Sequence, residues 1–472
     1  MRQLLFRQRM EIIAIIPVIV LASVLIYGTA DILLSKLLDP QSPDLSGSTL
    51  RVIRKLSYCN FIQCHGPDSW GPMGKALAVL NGSQSDRLYE TIFFAGAAKF
   101  QYPPTSLLLY DLLHSVGLAN AVTLNNLNLA LFLLNAALVV LIFRSALHST
   151  GRDARVGAGT WVILIASALL FYPTLSGLEI GQVQIWINAL FSAACLSWLK
   201  DKRLLAGVFI GLALTLKPQF ALFGLWALVW RERAFLFGLL LSFVPLTLLS
   251  LARYGLHNHI EYLNVLSFLS QHGEIYFENQ TMNGLIGRLV FVDSDNSDFS
   301  GHTFPPFNTV VWLASIATAA ALFLVAIYKP PYERGQSANI FDFAIVGLCA
   351  VVAAPIAWEH HYAILLPFLF ISLSRIYSDV SARDASLQLL ALTVAWVLIA
   401  NSFNIANVSK STPLNILQSY RFAGGLIFLF LLVHQRRRLA NDFAYEPHQS
   451  LAASRRVHAS NGRARTPAPT EQ

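Results

Sequence analysis

Long apolar runs recur along the chain, and they constrain its fold more than any other feature of the sequence. A helix that crosses a bilayer needs about 20 mostly apolar residues. The longest apolar runs lie at 12–30, 121–143, 156–172, 183–199, 234–251, 310–327, 340–357, 387–400 and 416–433. Hydrophobic residues make up 55% of the chain and charged residues only 13%, against about 25% charged residues in soluble globular proteins. We therefore predict an all-α polytopic membrane protein, and we exclude a soluble or a disordered chain.

Three shorter apolar segments complete the predicted membrane domain. They lie at 102–117, 204–230 and 362–373. Lys217 and Pro218 divide the middle segment, and proline breaks a helix because it lacks an amide donor. Basic residues flank both ends of that segment, so we predict a hairpin of two short helices that returns to the side it left. With 102–117 treated as interfacial or re-entrant, we expect about 12 spanning segments.

The distribution of lysine and arginine predicts the orientation in the cytoplasmic membrane. Cytoplasmic loops are enriched in these residues, and an inside N-terminus places most of the 34 Lys and Arg residues in cytoplasmic segments. Two long segments, about 36–101 and 253–308, then lie on the outer side. We expect residues 1–438 to form one integral-membrane domain and the polar, basic residues 439–472 to form a disordered cytoplasmic tail.

Polar side chains gather beside the predicted spans on the outer side. Such groups are costly near a membrane core and usually face a cavity or a substrate path. The candidates are Asp68, Tyr102, Glu179, Gln182, Lys217, Gln280, Asn283, Arg288, His360 and His361. Each has a structural alternative: Lys217 could cap carbonyl groups at the hairpin tip, and Arg288 and the histidine pair could be interfacial residues. Their location on one common side favours a functional site.

Two parts of the first outer segment leave further alternatives open. Asp68 is one of several carboxylates in or next to this segment, and Asp31, Asp44 and Asp86 compete with it for a functional role. Cys59 and Cys64 could form a disulfide in an oxidising compartment, although their spacing alone does not establish one.

The residue types suit chemistry on a lipid-linked phosphate. Lysine, arginine and histidine can hold a phosphate group, and a nearby carboxylate can act as general base on a hydroxyl. An apolar groove between helices can hold a lipid chain. The sequence contains no cysteine–histidine pattern typical of zinc and no P-loop. We predict sugar transfer from a lipid-linked phosphate at the outer face, with no metal and no cofactor required.

Six motifs in order resemble those of glycosyltransferase family 87, whose members are integral-membrane enzymes of the GT-C type that use polyprenyl-phosphate sugars. The motifs are the segment 68–82 that begins at Asp68, Lys99-Phe-Gln-Tyr-Pro-Pro104, Gly181-Gln-Val-Gln184, the segment 206–218 that ends in Leu-Lys-Pro, Asn279-Gln-Thr-Met-Asn-Gly284 with Arg288, and Ala354-Pro-Ile-Ala-Trp-Glu-His-His361. The sequence departs from the family at 69–72, where Ser-Trp-Gly-Pro replaces an aromatic residue after the aspartate. It also has Ala354 and Ala357 in place of two serines.

The resemblance implies a GT-C fold and direct displacement at the anomeric carbon with inversion. It assigns the catalytic carboxylate to Asp68. The cations Lys217, Arg288 and His360 or His361 are then expected to stabilise the phosphate leaving group. The other candidates named above are expected to bind the sugar or the phosphate.

The expected partners are a polyprenyl-phosphate sugar donor, a glycolipid or glycan acceptor, and membrane lipids, with no nucleic acid. Mannose is the favoured sugar by resemblance, and arabinose stays open. The main alternative function is a flippase or transporter of a lipid-linked glycan. A transporter places its ionisable groups near the membrane midplane, whereas the candidates here lie at one face. A structural protein without an active site is the third possibility.

Overall fold

The computed structural model describes residues 2–38, 48–58, 66–96, 100–149, 156–294, 296, 304–330, 338–378 and 384–439. Within these ranges the chain forms helices and no β-strand, as the sequence predicts. The first nine α-helices are α1 Arg2–Leu38, α2 Thr49–Tyr58, α3 Trp70–Leu80, α4 Leu107–Ser115, α5 Ala121–His148, α6 Ala158–Leu169, α7 Tyr172–Glu179, α8 Gln184–Leu199 and α9 Arg203–Leu216. The other nine are α10 Leu222–Trp230, α11 Arg233–Tyr254, α12 Leu256–His272, α13 Met282–Val290, α14 Thr309–Ile327, α15 Ile340–Val352, α16 Leu366–Ser378, α17 Ala385–Ala400 and α18, which covers 420–439.

The described helices include 5 that are long and apolar enough to span a membrane, or 6 if the bent pair of α6 and α7 counts as one span. Five further apolar helices have 10–17 residues, which is short of a simple crossing. The predicted all-α membrane fold is therefore confirmed, whereas the predicted count of about 12 spans is not. The segment at 102–117 contains a helix of only 9 residues, α4, which is too short to cross.

The predicted break at Lys217 is present. Helix α9 ends at Leu216, a short 3-10 turn covers Pro218–Ala221, and α10 follows. Proline cannot donate the hydrogen bond that would continue α9, and its ring excludes the helical conformation of the residue before it. Lys217 accordingly has an extended backbone, with φ −140° and ψ 118°.

Helices α9 and α11 pack with their backbones in close contact. Gly207 and Gly211 are four residues apart in α9 and form the small-xxx-small pattern typical of membrane helix interfaces. A Cβ atom at Gly207 would overlap the carbonyl oxygen of Phe235, and one at Gly238 would overlap that of Leu204. This packing fixes the helix that carries Lys217 at its end.

Cys59, Cys64 and the tail 440–472 lie outside the described residues, so their predicted states stay predictions. Cys195 and Cys349 are buried and are not disulfide-bonded.

Candidate active site

A cavity of about 590 Å³ lies where the ends of several helices meet. Six of the ten candidate residues line it: Asp68, Tyr102, Gln182, Lys217, His360 and His361. These residues come from five separate parts of the sequence, so the folded chain brings together groups that the sequence could place only on a common side. The cavity is therefore the candidate active site.

Asp68 is positioned by a backbone pairing with the turn that follows α7. The Gly66 amide donates to the Glu179 carbonyl at 2.9 Å, and the Asp68 amide donates to the Ile180 carbonyl at 3.0 Å. Gly181 has a φ of 70°, and a Cβ atom there would overlap the Gly66 carbonyl oxygen. Glycine at 181 thus permits both the left-handed backbone and the close approach of the Asp68 segment.

Gln182 links Asp68 to two hydroxyl groups. Its Nε2 donates to Asp68 Oδ2 at 2.6 Å, while its Oε1 accepts from Ser69 Oγ and from the Tyr102 hydroxyl, both at 2.9 Å. An ionised carboxylate can only accept, so the NH₂ group of Gln182 faces Asp68 and its carbonyl oxygen faces the two hydroxyls. Burial and the neighbouring Asp68 raise the pKa of the Tyr102 phenol, which keeps this hydroxyl a neutral donor.

Lys217 is buried in the cavity wall and is held by an amide. Its Nζ donates to Gln184 Oε1 at 2.8 Å, and Gln184 Nε2 donates in turn to Asn188 Oδ1 at 3.0 Å. An ammonium group has three N–H donors, so this bond leaves two for a ligand. Lys217 and Asp68 are near enough to interact electrostatically.

His360 and His361 also line the cavity, with ring centroids 4.5 Å apart. His361 Nδ1 accepts from the Trp358 amide at 3.2 Å, so its Nε2 carries the ring proton. His360 is only 1% exposed, and neither of its ring nitrogens has a hydrogen-bond partner in the described part of the chain. A buried imidazole without a partner is costly, and a polar ligand group in the cavity would remove that cost.

A buried ion pair lies next to the histidine pair. Arg421 donates to Glu359 Oε2 at 2.6 Å, and the Tyr172 hydroxyl donates to the other oxygen of Glu359 at 2.7 Å. Arg421 also donates to the carbonyls of Ile399 and Asn401, at 3.2 Å and 2.6 Å. Arg421 was not among the residues predicted from the sequence, although an arginine inside an apolar run is a usable signal.

The four remaining candidates are not among the cavity-lining residues. Glu179 is 3% exposed and forms an ion pair with Lys55 at 2.6 Å. Asn283 Oδ1 accepts from the Glu274 amide at 3.0 Å. These contacts hold the polypeptide around the cavity, so they differ from the substrate contacts that we expected of both residues.

Arg288 and Gln280 are likewise engaged with protein groups. Arg288 is fully buried and donates to the carbonyls of Tyr276 and Asn279, both at 3.1 Å, and to Ser419 Oγ. Gln280 Nε2 donates to the Gln418 carbonyl at 2.8 Å, while its Oε1 accepts from the Arg421 amide at 3.1 Å. The structure thus places both in the packing between the second long loop and the start of α18.

The side of the cavity formed by α12 is largely apolar. Tyr262, Leu266 and Leu269 of this helix line the cavity. The outer face of α12 exposes Leu256 and Leu263, at 63% and 60%. Exposed leucines at helical spacing suit contact with lipid, so part of the face of α12 that turns away from the cavity can meet an apolar environment.

Among the described residues, no group of three or more His, Cys, Asp or Glu side chains could hold a metal ion.

The family model described as glycosyltransferase family 87 matches residues 100–355, more than half of the chain. A relative from Mycolicibacterium smegmatis is 24% identical over 269 residues, which cover 55% of this chain and 54% of the relative. Its name is polyprenol-phosphate-mannose-dependent alpha-(1-2)-phosphatidylinositol mannoside mannosyltransferase. The match thus spans about half the length of that relative. Asp68 precedes the range matched by the family model, but it lines one cavity with residues inside that range.

Proposed function

The chain belongs to glycosyltransferase family 87, and from this premise we propose that it transfers a sugar from a polyprenyl-phosphate donor to a hydroxyl of a glycolipid or glycan acceptor. The observation that carries the proposal is the cavity itself. It combines one carboxylate, Asp68, with the amine of Lys217 and two imidazoles, beside an apolar wall. These are the groups that a phosphate leaving group, an acceptor hydroxyl and a lipid chain require.

Lys217, His360 and His361 are proposed to bind the phosphate of the donor. Lys217 retains two N–H groups after its bond to Gln184. His361 presents a protonated Nε2, and His360 has no protein partner in the described residues. Preorganised donors of this kind stabilise the negative charge that develops on a leaving group. The phosphate would also satisfy the buried imidazole of His360.

Asp68 is proposed to remove the proton from the acceptor hydroxyl as the bond to the anomeric carbon forms. The C–O bond to the donor phosphate breaks in the same displacement, and the electron pair leaves with the polyprenyl phosphate. Gln182 orients the carboxylate through its 2.6 Å hydrogen bond. The attack is on the face opposite the leaving group, so the configuration inverts. General-base catalysis of this type contributes about 10²–10⁴-fold in rate.

The apolar wall of α12 is proposed to contact the part of the polyprenyl chain nearest the phosphate. Leu266 and Leu269 face the cavity, and the chain would leave the cavity towards the lipid-exposed side of this helix. We propose that the cavity opens at the outer face of the cytoplasmic membrane, with both termini inside, because the sequence pattern predicts the segments rich in lysine and arginine on the cytoplasmic side and the cavity residues on the outer side. The relative's name favours mannose as the sugar.

A donor panel tests the proposal. The purified protein in lipid nanodiscs is incubated with a membrane lipid extract and, in turn, with radiolabelled polyprenyl-phosphate mannose, arabinose and glucose. We expect label in a glycolipid product with one of these donors, mannose first. The protein must be monodisperse and must show a cooperative thermal unfolding transition. If no polyprenyl-phosphate sugar then transfers label, the result contradicts the proposed function.

A further inference from the structure

Trp358 is an aromatic residue of the cavity lining that the proposed reaction does not use. Its side chain is half-buried, whereas the two tyrosines described in the lining, Tyr102 and Tyr262, are only 8% and 6% exposed. The hydroxyls of both tyrosines also donate to protein groups. Among the described aromatic residues of the lining, Trp358 therefore has the most accessible ring surface.

A hydrogen bond fixes one edge of the indole. Trp358 Nε1 donates to Glu274 Oε2, and Glu274 is 3% exposed and does not belong to the described lining. The indole N–H is the only hydrogen-bond donor of a tryptophan side chain. Because this donor is engaged outside the cavity, the part of the side chain that meets the cavity is the apolar carbon surface of the ring.

The start of α13 and the loop before it hold Trp358 from two directions. Asn279 Nδ2 donates to the Glu274 carbonyl at 2.8 Å, and Asn283 Oδ1 accepts from the Glu274 amide at 3.0 Å. Asn279 Oδ1 also accepts from the amide of Ala357, the residue directly before Trp358, at 3.1 Å. These contacts fix both the acceptor of the indole N–H and the backbone from which the ring extends, so the ring is preorganised.

Trp358 lies next to the proposed phosphate ligands. Its ring centroid is 5.8 Å from that of His360, and the two ring planes are 75° apart. His360 is 1% exposed, and its ring nitrogens lack a hydrogen-bond partner within the described ranges, which is why we place the donor phosphate there. The transferred sugar is joined to that phosphate through a single oxygen atom. A ring beside His360 is therefore within reach of the sugar.

A flat apolar ring suits one face of a sugar. One face of a pyranose carries mainly C–H groups, which can pack on an aromatic ring, and the negative face of that ring attracts their partial positive charge. On this basis, and resting on the proposed function, we infer that Trp358 binds the transferred sugar by stacking its indole against the C–H face of a pyranose.

The first experiment separates the sugar from the rest of the donor. Polyprenyl phosphate without a sugar shares the phosphate and the lipid chain with the donor, and it is used as an inhibitor of transfer from polyprenyl-phosphate mannose. A stacked aromatic contact is worth about a tenfold effect on binding. We expect Trp358→Leu to raise the donor KM by about this factor, while the inhibition constant of polyprenyl phosphate changes much less.

Trp358→Phe isolates the contribution of the aromatic ring. Phenylalanine and leucine both lack the hydrogen bond to Glu274, so the two variants differ mainly in the aromatic face. We expect Trp358→Phe to recover most of the donor affinity that Trp358→Leu loses. Trp312→Leu is the matched control, because Trp312 is a half-buried tryptophan of α14 outside the described lining, and its ring centroid is 6.0 Å from that of Phe307.

A binding measurement without turnover keeps the inference testable if Trp358→Leu does not fold. The 9 tryptophans of the chain are replaced by 5-fluorotryptophan, and the fluorine resonance of residue 358 is the one that Trp358→Phe lacks. We expect saturating polyprenyl-phosphate mannose to shift this resonance further than saturating polyprenyl phosphate does, since only the former brings a sugar to the ring.

Five outcomes would overturn the role of Trp358. One is an unchanged donor KM in Trp358→Leu, as expected of a tryptophan that only anchors the chain at the membrane interface. The others are equal weakening of donor and polyprenyl phosphate, an equal loss in Trp358→Phe, the same loss in Trp312→Leu, and equal fluorine shifts with the two ligands. In each case transfer by the wild-type protein would still support the proposed function, whereas its absence with every donor would contradict that function itself.

Discussion

Gln184 determines where the ammonium group of Lys217 lies. Its Oε1 is the acceptor for Lys217 Nζ, and its NH₂ group is engaged with Asn188, so the amide cannot rotate without losing a buried hydrogen bond. The side chain is only 1% exposed. Gln184 is therefore a positioning residue for the proposed phosphate site, although it does not line the cavity itself.

Replacement of this amide gives a test at the scale of one residue. We expect Gln184→Leu to raise the donor KM and to lower kcat, so that kcat/KM falls at least about tenfold. The reason is that loss of a hydrogen bond to a charged group costs roughly 1.5–3 kcal/mol. Lys217→Ala should shift both values in the same direction and further. Gln271→Leu, at an exposed glutamine, is the matched control. Wild-type donor KM and kcat in Gln184→Leu would refute the positioning role.

Sequence reasoning identified residues whose polarity conflicts with an apolar surrounding. Asp68, Lys217 and the histidine pair stand out in this way, and all of them line the cavity. The sequence could not distinguish side chains that face the cavity from side chains that stabilise the fold, because both kinds are polar residues next to membrane spans. Arg288 shows the difference. It donates to the backbone carbonyl of Tyr276 and to the hydroxyl of Ser419, which is 131 residues away in the sequence, and no local pattern reveals either contact.

At the scale of secondary-structure elements, the contact between α9 and α11 supports the site from behind. The two helices approach so closely that glycine is required at several positions of the interface. Ser242 of α11 also donates to the Val208 carbonyl at 3.0 Å. Because Lys217 directly follows the last residue of α9, a shift between these helices would displace the proposed phosphate ligand.

We expect Gly207→Ala to destabilise the protein by about 1–3 kcal/mol, since the added methyl group overlaps the backbone of α11. Alanine is a better helix former than glycine by about 1 kcal/mol, so the expected effect opposes helix propensity. Gly224→Ala is the matched control, because a Cβ atom at Gly224 meets nothing within 4 Å. The measurement is the thermal unfolding midpoint in detergent. Equal midpoints for the two variants would contradict close packing at Gly207.

The elements themselves were largely predictable. Apolar runs, and the proline after Lys217, predict the helices and the break because both follow from local backbone chemistry. The number of membrane crossings was not predictable in this way, since helices of 10–17 residues are as apolar as a spanning helix but are shorter than a simple crossing requires. The apolar wall that α12 adds to the cavity depends on how the second long segment folds back, which no local pattern encodes.

At the scale of the whole molecule, the fold brings loops that are distant in sequence together at one cavity. The Glu359–Arg421 pair joins α18 to the histidine segment, and the 66–69 backbone pairs with the turn after α7. A buried pair of this kind costs several kcal/mol when one partner is removed, so it holds its elements firmly. The proposed reaction depends on this convergence, because Asp68 is proposed to act as the base on the other side of the sugar from the proposed phosphate ligands.

The most direct test compares Asp68→Asn with wild type in the purified, donor-supplied transfer assay. The asparagine keeps the shape and the contact to Gln182 but cannot accept the proton, so we predict a loss of about 10²–10⁴-fold or more in kcat with the thermal midpoint retained. Asp86→Asn, in the exposed loop after α3, should keep the wild-type rate. Transfer by Asp68→Asn at the wild-type rate would contradict the account.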